Sequence, residues 1–336
     1  MKKPRSPIAV LISDIHYNIN TLPVADAALR QAIAKANELD VVLIVTGDLH
    51  DTKANLRAEC VNAMLKTFSL ADINPIILVG NHDLINEKDT SKHALEFLQG
   101  GYATVQKHCG GWGQAHLAAY HSDVEQLRSY LKTIPKGETV IMHQGLESSD
   151  TGDYIQDKSA LKKEDVAGLR IISGHYHTRQ TIALPDGGTW DYVGNPFTLT
   201  WGEAKDPEKG YQILYDDSSL KFVPTSLRKH IVVEMDVEDT MTGAPSLNVN
   251  DGDLLLIKLK GTKEELATFD KDRIAKNLGI KGTFRLDLIP LDTATERQES
   301  PQKEITKPAL LDSLIDSTRN TSVEQRERIK KLWRNL

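Results

Sequence analysis

The chain has 336 residues, which is longer than one compact core usually holds. Its composition, 40% hydrophobic and 26% charged, is typical of a soluble protein. No segment approaches the eighteen or more apolar residues of a membrane span, and the N-terminus lacks a signal-peptide pattern, so we expect a cytoplasmic protein with no membrane partner. The net charge of −6 argues mildly against nucleic-acid binding, although bound divalent metals would add positive charge where a phosphate lies.

Short apolar runs alternate with helical periodicity over the first two hundred residues. Apolar residues at helical spacing predict one helix through Leu29 and Ile33 and another through Cys60 and Met64. The alternation is typical of an α/β protein with a layered sheet. Five apolar runs are predicted to be strands buried on both faces: residues 8–12, 41–45, 76–79, 140–142 and 170–172.

The pattern changes after the fifth strand. A Pro-Asp-Gly-Gly turn at residues 185–188 predicts a β-hairpin, and residues 211–223 contain a further strand pair. After Pro224, a strand, a capping box at Thr262 and Glu265, apolar residues at helical spacing and another strand predict a small β-α-β unit. A polar stretch without periodicity then predicts a linker, followed by two short amphipathic helices.

Each of the five buried strands is followed by a cluster of metal-competent side chains. In open α/β sheets, ligand sites lie at the carboxyl ends of the strands. One such cluster alone would be a weak signal, because a lone histidine is more often a packed or surface residue, but five in order indicate a metal centre. The clusters are Asp14-Ile15-His16, Gly47-Asp48-Leu49-His50-Asp51, Gly80-Asn81-His82-Asp83, His143-Gln144 and Gly174-His175-Tyr176-His177. Oxygen and imidazole ligands in this mixture suit manganese, iron or zinc.

The order D-x-H, G-D-x-x-D, G-N-H-D, H and G-H-x-H resembles the signature of the calcineurin-like metallophosphoesterases. The resemblance implies an α/β/β/α layered core and two divalent metal ions, for which we expect manganese. One metal would be held by Asp14, His16, Asp48 and His177, and the other by Asp48, Asn81, His143 and His175. The bridging carboxylate would hold the ions ~3.5–4 Å apart for in-line hydrolysis of a phosphoester.

The resemblance also assigns roles to residues beside the metals. His82 matches the histidine that stabilises the transition state or protonates the leaving group, and Asp83 would orient His82 through a hydrogen bond. Asp51 is expected to lie behind the metal ligands rather than to bind a metal. His50 would either line the substrate groove or simply pack.

The sequence after the last histidines resembles the SbcD-type branch and the small subunits of phage recombination endonucleases. The matching strings are residues 174–180, 192–196 and 209–211, although Asn195 and Asn18 depart from the branch pattern at positions that are not predicted ligands. By this resemblance, the chain consists of a nuclease domain at 1–227, a capping domain at 228–292, a linker at 293–307 and a helical ATPase-binding segment at 308–336.

The resemblance implies a metal-dependent DNA exonuclease or endonuclease in recombination and repair, with DNA and an SbcC-type coiled-coil ATPase as partners. It also implies a homodimer formed through helices near residues 25–36 and 56–70, although the same apolar stripes would serve equally as core helices. The C-terminal helices could instead fold back on the chain's own core. Two alternatives are a stand-alone phosphodiesterase or phosphomonoesterase acting on nucleotides or phosphoproteins, and an architectural DNA-tethering subunit.

Overall fold

The computed structural model describes residues 4–53, 55–86, 89, 91–152, 158–206, 208–241, 249–250, 252–280 and 284–291. The predicted linker at 293–307 and the predicted helices at 308–336 lie outside these described residues. Within the described ranges the chain forms two six-stranded sheets and one three-stranded sheet. None of the helices in this part of the chain combines the length and the apolarity that crossing a bilayer requires.

The first sheet combines strands from the beginning of the chain with two strands that come much later. Its strands are β1 (Pro7–Ile12), β2 (Val42–Val45), β3 (Ile76–Leu78), β4 (Thr104–Gln106), β11 (Gly210–Tyr215) and β12 (Leu220–Pro224). They lie in the order β12-β11-β1-β2-β3-β4; β1 to β4 are parallel and β11 is antiparallel to both neighbours. Helices α1 (Leu22–Leu39) and α2 (Ala58–Phe68) bury the predicted stripes against this sheet.

The second sheet comes from the middle of the chain. Its strands are β5 (Gly110–Trp112), β6 (Ala115–Ala118), β7 (Thr139–His143), β8 (Arg170–Gly174), β9 (Thr181–Ala183) and β10 (Thr189–Tyr192), in the order β5-β6-β7-β8-β10-β9. The predicted hairpin is confirmed, because β9 and β10 pair antiparallel. Helix α3 (Val124–Leu131) begins at Asp123, whose carboxylate accepts hydrogen bonds from the backbone of Glu125 and Gln126.

Period-two alternation along the strands explains why two sheets pack face to face. In β1, Leu11 belongs to the core between the sheets, whereas Val10 and Ile12 belong to the core beneath α1 and α2. In β7, Ile141 points to the inner core and Val140 to the outer core of the second sheet. Strands that are apolar on both faces therefore build four layers, and the predicted α/β/β/α architecture is confirmed.

A three-stranded parallel sheet follows β12 and has a hydrophobic cluster of its own. It contains β13 (His230–Asp236), β14 (Leu254–Gly261) and β15 (Phe284–Pro290), with α4 (Val237–Met241), α5 (Lys263–Thr268) and α6 (Lys271–Asn277). The predicted capping box is present, since Glu265 accepts from the backbone of Thr262 and the Thr262 hydroxyl accepts from the backbone of Glu265. The helical pattern before Gly279 is divided into two helices, because Phe269 is extended and Asp270 caps α6.

Candidate metal centre

All seven predicted metal ligands lie together at the carboxyl ends of strands from both six-stranded sheets. Asp14 and His16 follow β1, Asp48 follows β2, Asn81 follows β3, His143 ends β7, and His175 and His177 follow β8. Most of these side chains border one cavity of about 580 Å³, which is also lined by His82, Tyr120 and Tyr176. The first sheet supplies mostly oxygen ligands and the second supplies only imidazoles, so neither sheet could form the centre alone.

The backbone that carries these ligands is unusual. Asp14, His16, Asp48 and His175 all have positive φ, at 50°, 49°, 49° and 88°. This left-handed region costs a residue with a Cβ about 1–2 kcal/mol, and such strain is typical of functional sites. Hydrogen bonds between the loops hold the conformation, since Asp14 donates to the carbonyl of Gly47 and His16 donates to that of Asp48.

Two glycines allow the ligand loops to approach one another. A Cβ at Gly80 would lie 2.2 Å from a carboxylate oxygen of Asp48 and 2.3 Å from its backbone nitrogen. A Cβ at Gly174 would lie 2.1 Å from the Ser13 hydroxyl and 2.5 Å from the carbonyl of Thr46. Because backbone atoms are involved in both cases, no side-chain movement could make room, and only glycine fits.

The first cluster comprises Asp14, His16, Asp48 and His177. His16 Nδ1 lies 3.2 Å from Asp51 Oδ1 and His177 Nδ1 lies 2.8 Å from Glu203 Oε1, so each ring donates its Nδ1 proton to a carboxylate. Both Nε2 atoms then carry lone pairs, and they face each other 3.2 Å apart. Two nitrogens each about 2.0–2.1 Å from one cation lie roughly 3 Å apart, so this arrangement fits a shared metal.

The second cluster comprises Asp48, Asn81, His143 and His175. His143 donates its Nδ1 proton to the carbonyl of Thr46 at 2.7 Å, which leaves Nε2 as an acceptor. That nitrogen lies 3.1 Å from the Asn81 side-chain oxygen and 3.3 Å from Asp48 Oδ2, while His175 Nδ1 lies 2.9 Å from the same Asn81 oxygen. Acceptors that face acceptors are unfavourable unless they converge on a cation, so the second donor set also fits a metal.

Asp48 touches both clusters. Its Oδ2 lies 3.3 Å from His143 Nε2 and 3.8 Å from His16 Nε2, which suits the predicted bridging role. Burial opposes ionisation of Asp48, but the neighbouring histidines outweigh burial and hold its pKa well below the usual range. In the metal-free chain, burial likewise opposes the charge on His143, yet the carboxylate of Asp48 raises the pKa of His143 to about 9, and a bound cation would replace the proton on Nε2. The ionised Asp48 therefore strongly favours positive charge at the centre of the two clusters.

His82 lines the cavity beside the first cluster, with its ring centroid 4.7 Å from that of His16. Its backbone N–H donates to Asp48 at 2.8 Å, and its Nδ1 donates to the carbonyl of Asp51 at 2.8 Å. Burial lowers the pKa of His82, but the charge of Asp48 and the bond to Asp51 outweigh it, so the pKa lies above its ordinary value. The imidazole is therefore well suited to donate a proton.

Asp83 acts differently from the prediction. The expected hydrogen bond between Asp83 and the His82 ring is wrong, because the ring bonds to Asp51 and the buried Asp83 accepts the backbone N–H groups of His50 and Gly80, each at 2.9 Å. Burial and the charge of Asp48 raise the pKa of Asp83 to about 7. Asp83 thus joins the loops after β2 and β3 and positions His82 through the backbone.

The side chains near the ligands resolve two smaller points. Asp51 lies behind His16, as predicted, and also accepts from the Asn18 amide at 3.0 Å. His50 is only 1% exposed and packs in the interior, so it does not line the cavity.

Sequence reasoning missed Glu203. It lies in a 3-10 turn at Gly202–Lys205, between the strings at 192–196 and 209–211, and nothing in its local sequence indicates contact with a metal ligand. The nearest available signals were Asn195 and Lys209, which lie in strings that resemble the SbcD branch and whose side chains both approach Glu203.

Comparison with known proteins agrees with this geometry. Residues 9–179 match the model of the calcineurin-like phosphoesterase family. The match spans just over half of the chain and includes all seven predicted ligands, so the chain belongs to the calcineurin-like phosphoesterase family. Membership indicates metal-dependent hydrolysis of phosphoesters.

One similar solved structure is a dimetal phosphatase from Danio rerio. The two chains are 11% identical, with a TM-score of 0.43, and the alignment covers 66% of this chain and 100% of the other. No curated protein matches the chain.

Proposed function

We propose that the chain is a metal-dependent DNA nuclease, the SbcD-type subunit of a recombination and repair complex. The observation that carries the proposal is the three-stranded sheet β13–β15, which has its own hydrophobic cluster and directly follows the phosphoesterase layers. A capping domain occupies this place in the SbcD branch. The strings around Tyr192 and Lys209, which resemble that branch, support the same substrate class.

The two ligand clusters would hold two divalent cations, for which we propose manganese because carboxylate, amide and imidazole ligands are mixed. Bound cations would polarise the phosphate oxygens and lower the pKa of water. Asp48 belongs to both clusters and would hold the two sets of ligands next to each other. The cavity of about 580 Å³ leaves room for a phosphodiester with its flanking nucleosides.

His82 supplies the proton that the leaving oxygen requires. Its Nδ1 is committed to the Asp51 carbonyl, so Nε2 is the ring nitrogen left to serve the substrate. The bond from its backbone to Asp48 ties the position of the ring to the ligand that both clusters share. Asp83 holds the loop of His82 by accepting the N–H of Gly80, which keeps the donor at a fixed distance from the clusters.

The nuclease proposal is tested with linear duplex and hairpin DNA in the presence of Mn²⁺, with and without the coiled-coil ATPase. The Asp48→Ala, His82→Ala double variant should cleave neither substrate. A matched control is Glu138→Gln, which alters a histidine-carboxylate pair with His116 on another part of the surface. Full cleavage by the double variant, or no cleavage by the wild type, would refute the proposal.

A stand-alone phosphodiesterase or phosphomonoesterase is the second candidate, and the net charge of −6 favours it. Turnover of small phosphoesters without affinity for DNA, unchanged after deletion of residues 308–336, would support that candidate. The architectural alternative would be supported if the double variant still promoted ATP-driven DNA binding by the partner.

The proposed partners are DNA, an SbcC-type ATPase and a second copy of the chain. The ATPase would bind the segment at 308–336. The stripes on α1 and α2 pack in the core of the first sheet, so the dimer proposal rests on the family resemblance alone. Co-purification with a large coiled-coil ATPase, together with the mass of the chain in solution, tests these two proposals.

A further inference from the structure

We infer that Glu203 is a positioning residue that fixes the ring of His177 and strengthens metal binding at the first cluster. The inference rests on the proposed metal-dependent function and goes further, because it assigns a role to a residue outside the family signature. Glu203 is only 6% exposed, and its carboxylate lies directly behind the His177 ring, on the side away from the other ligands.

Both carboxylate oxygens of Glu203 are held by donors. Oε1 accepts from His177 Nδ1 at 2.8 Å. Oε2 accepts from the Asn195 amide at 2.8 Å and from the backbone N–H of Leu199 at 2.9 Å. A carboxylate fixed at both oxygens cannot rotate away, so it determines which tautomer His177 adopts and where Nε2 points.

A buried lysine keeps Glu203 charged. Lys209 is 3% exposed, and its ammonium lies 3.5 Å from Glu203 Oε2 while donating to Asp206 at 3.1 Å and to the carbonyl of His177 at 3.3 Å. The Lys209 ammonium, the Asn195 amide and the Leu199 N–H thus all present positive charge or a donor to the carboxylate of Glu203, and these contacts favour its ionised form beside His177.

An anion behind an imidazole makes the opposite ring nitrogen a better metal ligand, because it stabilises the positive charge that the ring gains on coordination. His143 in the second cluster donates instead to the uncharged carbonyl of Thr46. Removing the charge of Glu203 should therefore weaken the first cluster selectively. If Glu203 only connected the turn at Gly202–Lys205 to the loop after β8, its substitution would lower stability without this selectivity.

The test is calorimetric titration of the metal-free full-length chain with Mn²⁺. Glu203→Gln keeps the shape of the side chain and removes its charge. We expect about 10- to 100-fold weaker binding at one of two sites and less than about twofold change at the other. Glu138→Gln, the matched control at the pair with His116, should leave both affinities unchanged. Thermal unfolding of the metal-free proteins identifies any variant that is not folded.

Asn195→Ala provides a second, milder variant, because it leaves Glu203 in place and removes one of the groups that orient it. We expect roughly threefold to tenfold weaker binding at the same single site. If Glu203→Gln does not fold, this variant decides: an unchanged pair of affinities would overturn the inference.

The two proposals fail in different ways. If the wild type binds no divalent metal, the proposed metal-dependent function fails. If the wild type binds two ions and folded Glu203→Gln binds both with unchanged affinity, only the role of Glu203 is refuted. Weakening of both sites by the same factor would also overturn it, since the ligand that Glu203 contacts, His177, belongs to the first cluster.

Discussion

The two ligand clusters share Asp48 but differ in what lies behind their imidazoles. In the first cluster, His16 and His177 donate to the carboxylates of Asp51 and Glu203, whereas His143 in the second donates to the carbonyl of Thr46. A carboxylate fixes the tautomer and adds negative charge, while a carbonyl fixes the tautomer alone. His16 and His177 should therefore gain affinity for a cation from the charge behind them, which the Thr46 carbonyl does not give to His143.

Asp48→Ala should have the largest effect, because it removes the one ligand that both clusters share. We expect hydrolysis of a small phosphodiester to fall by about 10³-fold or more in kcat/KM, with calorimetry showing weakened binding at both sites. An isolated loss at one site, with the other intact, would contradict the bridging role. Glu138→Gln serves again as the control.

His82→Ala tests whether His82 acts in catalysis rather than in metal binding. The His82 ring donates to the Asp51 carbonyl and is not one of the seven predicted ligands, so both metal affinities should remain within about threefold of the wild type. We expect kcat to fall by about 10²- to 10⁴-fold, as is usual when a general acid is lost. A variant with weakened metal binding and unchanged kcat would assign His82 to the ligand sets instead.

Asp51→Asn sharpens the comparison within the first cluster. Asp51 lies behind His16 as Glu203 lies behind His177, but its side chain is 34% exposed, so solvent screens its charge. We expect only about threefold to tenfold weaker Mn²⁺ binding, at the same site that Glu203→Gln affects. An effect on the other site alone would show that the assignment of residues to clusters is wrong.

The smallest expected effect concerns His230, which lies outside both clusters. Its protonation makes the stability of the fold depend on pH. Burial and the charge of Arg228 lower the pKa of His230 below its ordinary value. The unfolded chain therefore binds this proton at higher pH than the folded chain. The contribution of neutral His230 to the stability of the folded chain is complete above about pH 6.5 and is lost as the pH falls through the lowered pKa.

The measurement is urea unfolding of the wild type and His230→Gln at about pH 7.5 and pH 5.5. The free energy of unfolding should fall on acidification, and the part that depends on His230 should be below about 1 kcal/mol. Equal pH dependence in the two proteins would refute this contribution.

The parts of the fold that sequence predicts are those with a local signal. Strands buried on both faces appear as continuous apolar runs, and β1, β2, β3, β7 and β8 lie where those runs predicted them. The short strands β4 and β5 were missed because three residues, such as Gly-Gly-Trp, show no periodicity. The five ligand clusters were visible for the same local reason, since each follows one of the strong strands.

What the sequence could not reveal depends on contacts between distant segments. Asp83 was expected to contact its neighbour His82, yet its partners include His50, which lies 33 positions away. Glu203 lies 26 positions from His177, and only the folded loop after β10 brings them together. The division into two sheets also escaped a local pattern, because strands of both sheets are equally apolar and only their pairing distinguishes them.

The position of β1 has a consequence for folding. Ala9 pairs with Val42 on one side and with Leu214 on the other, about two hundred residues further along the chain. During synthesis, one edge of β1 therefore stays unpaired until the whole second sheet and β11 have been made. Such long-range pairing is slow, and the unpaired edge is prone to aggregation. Asp14 and His16 extend from the end of this strand, so the reaction centre should be among the last parts of the protein to mature.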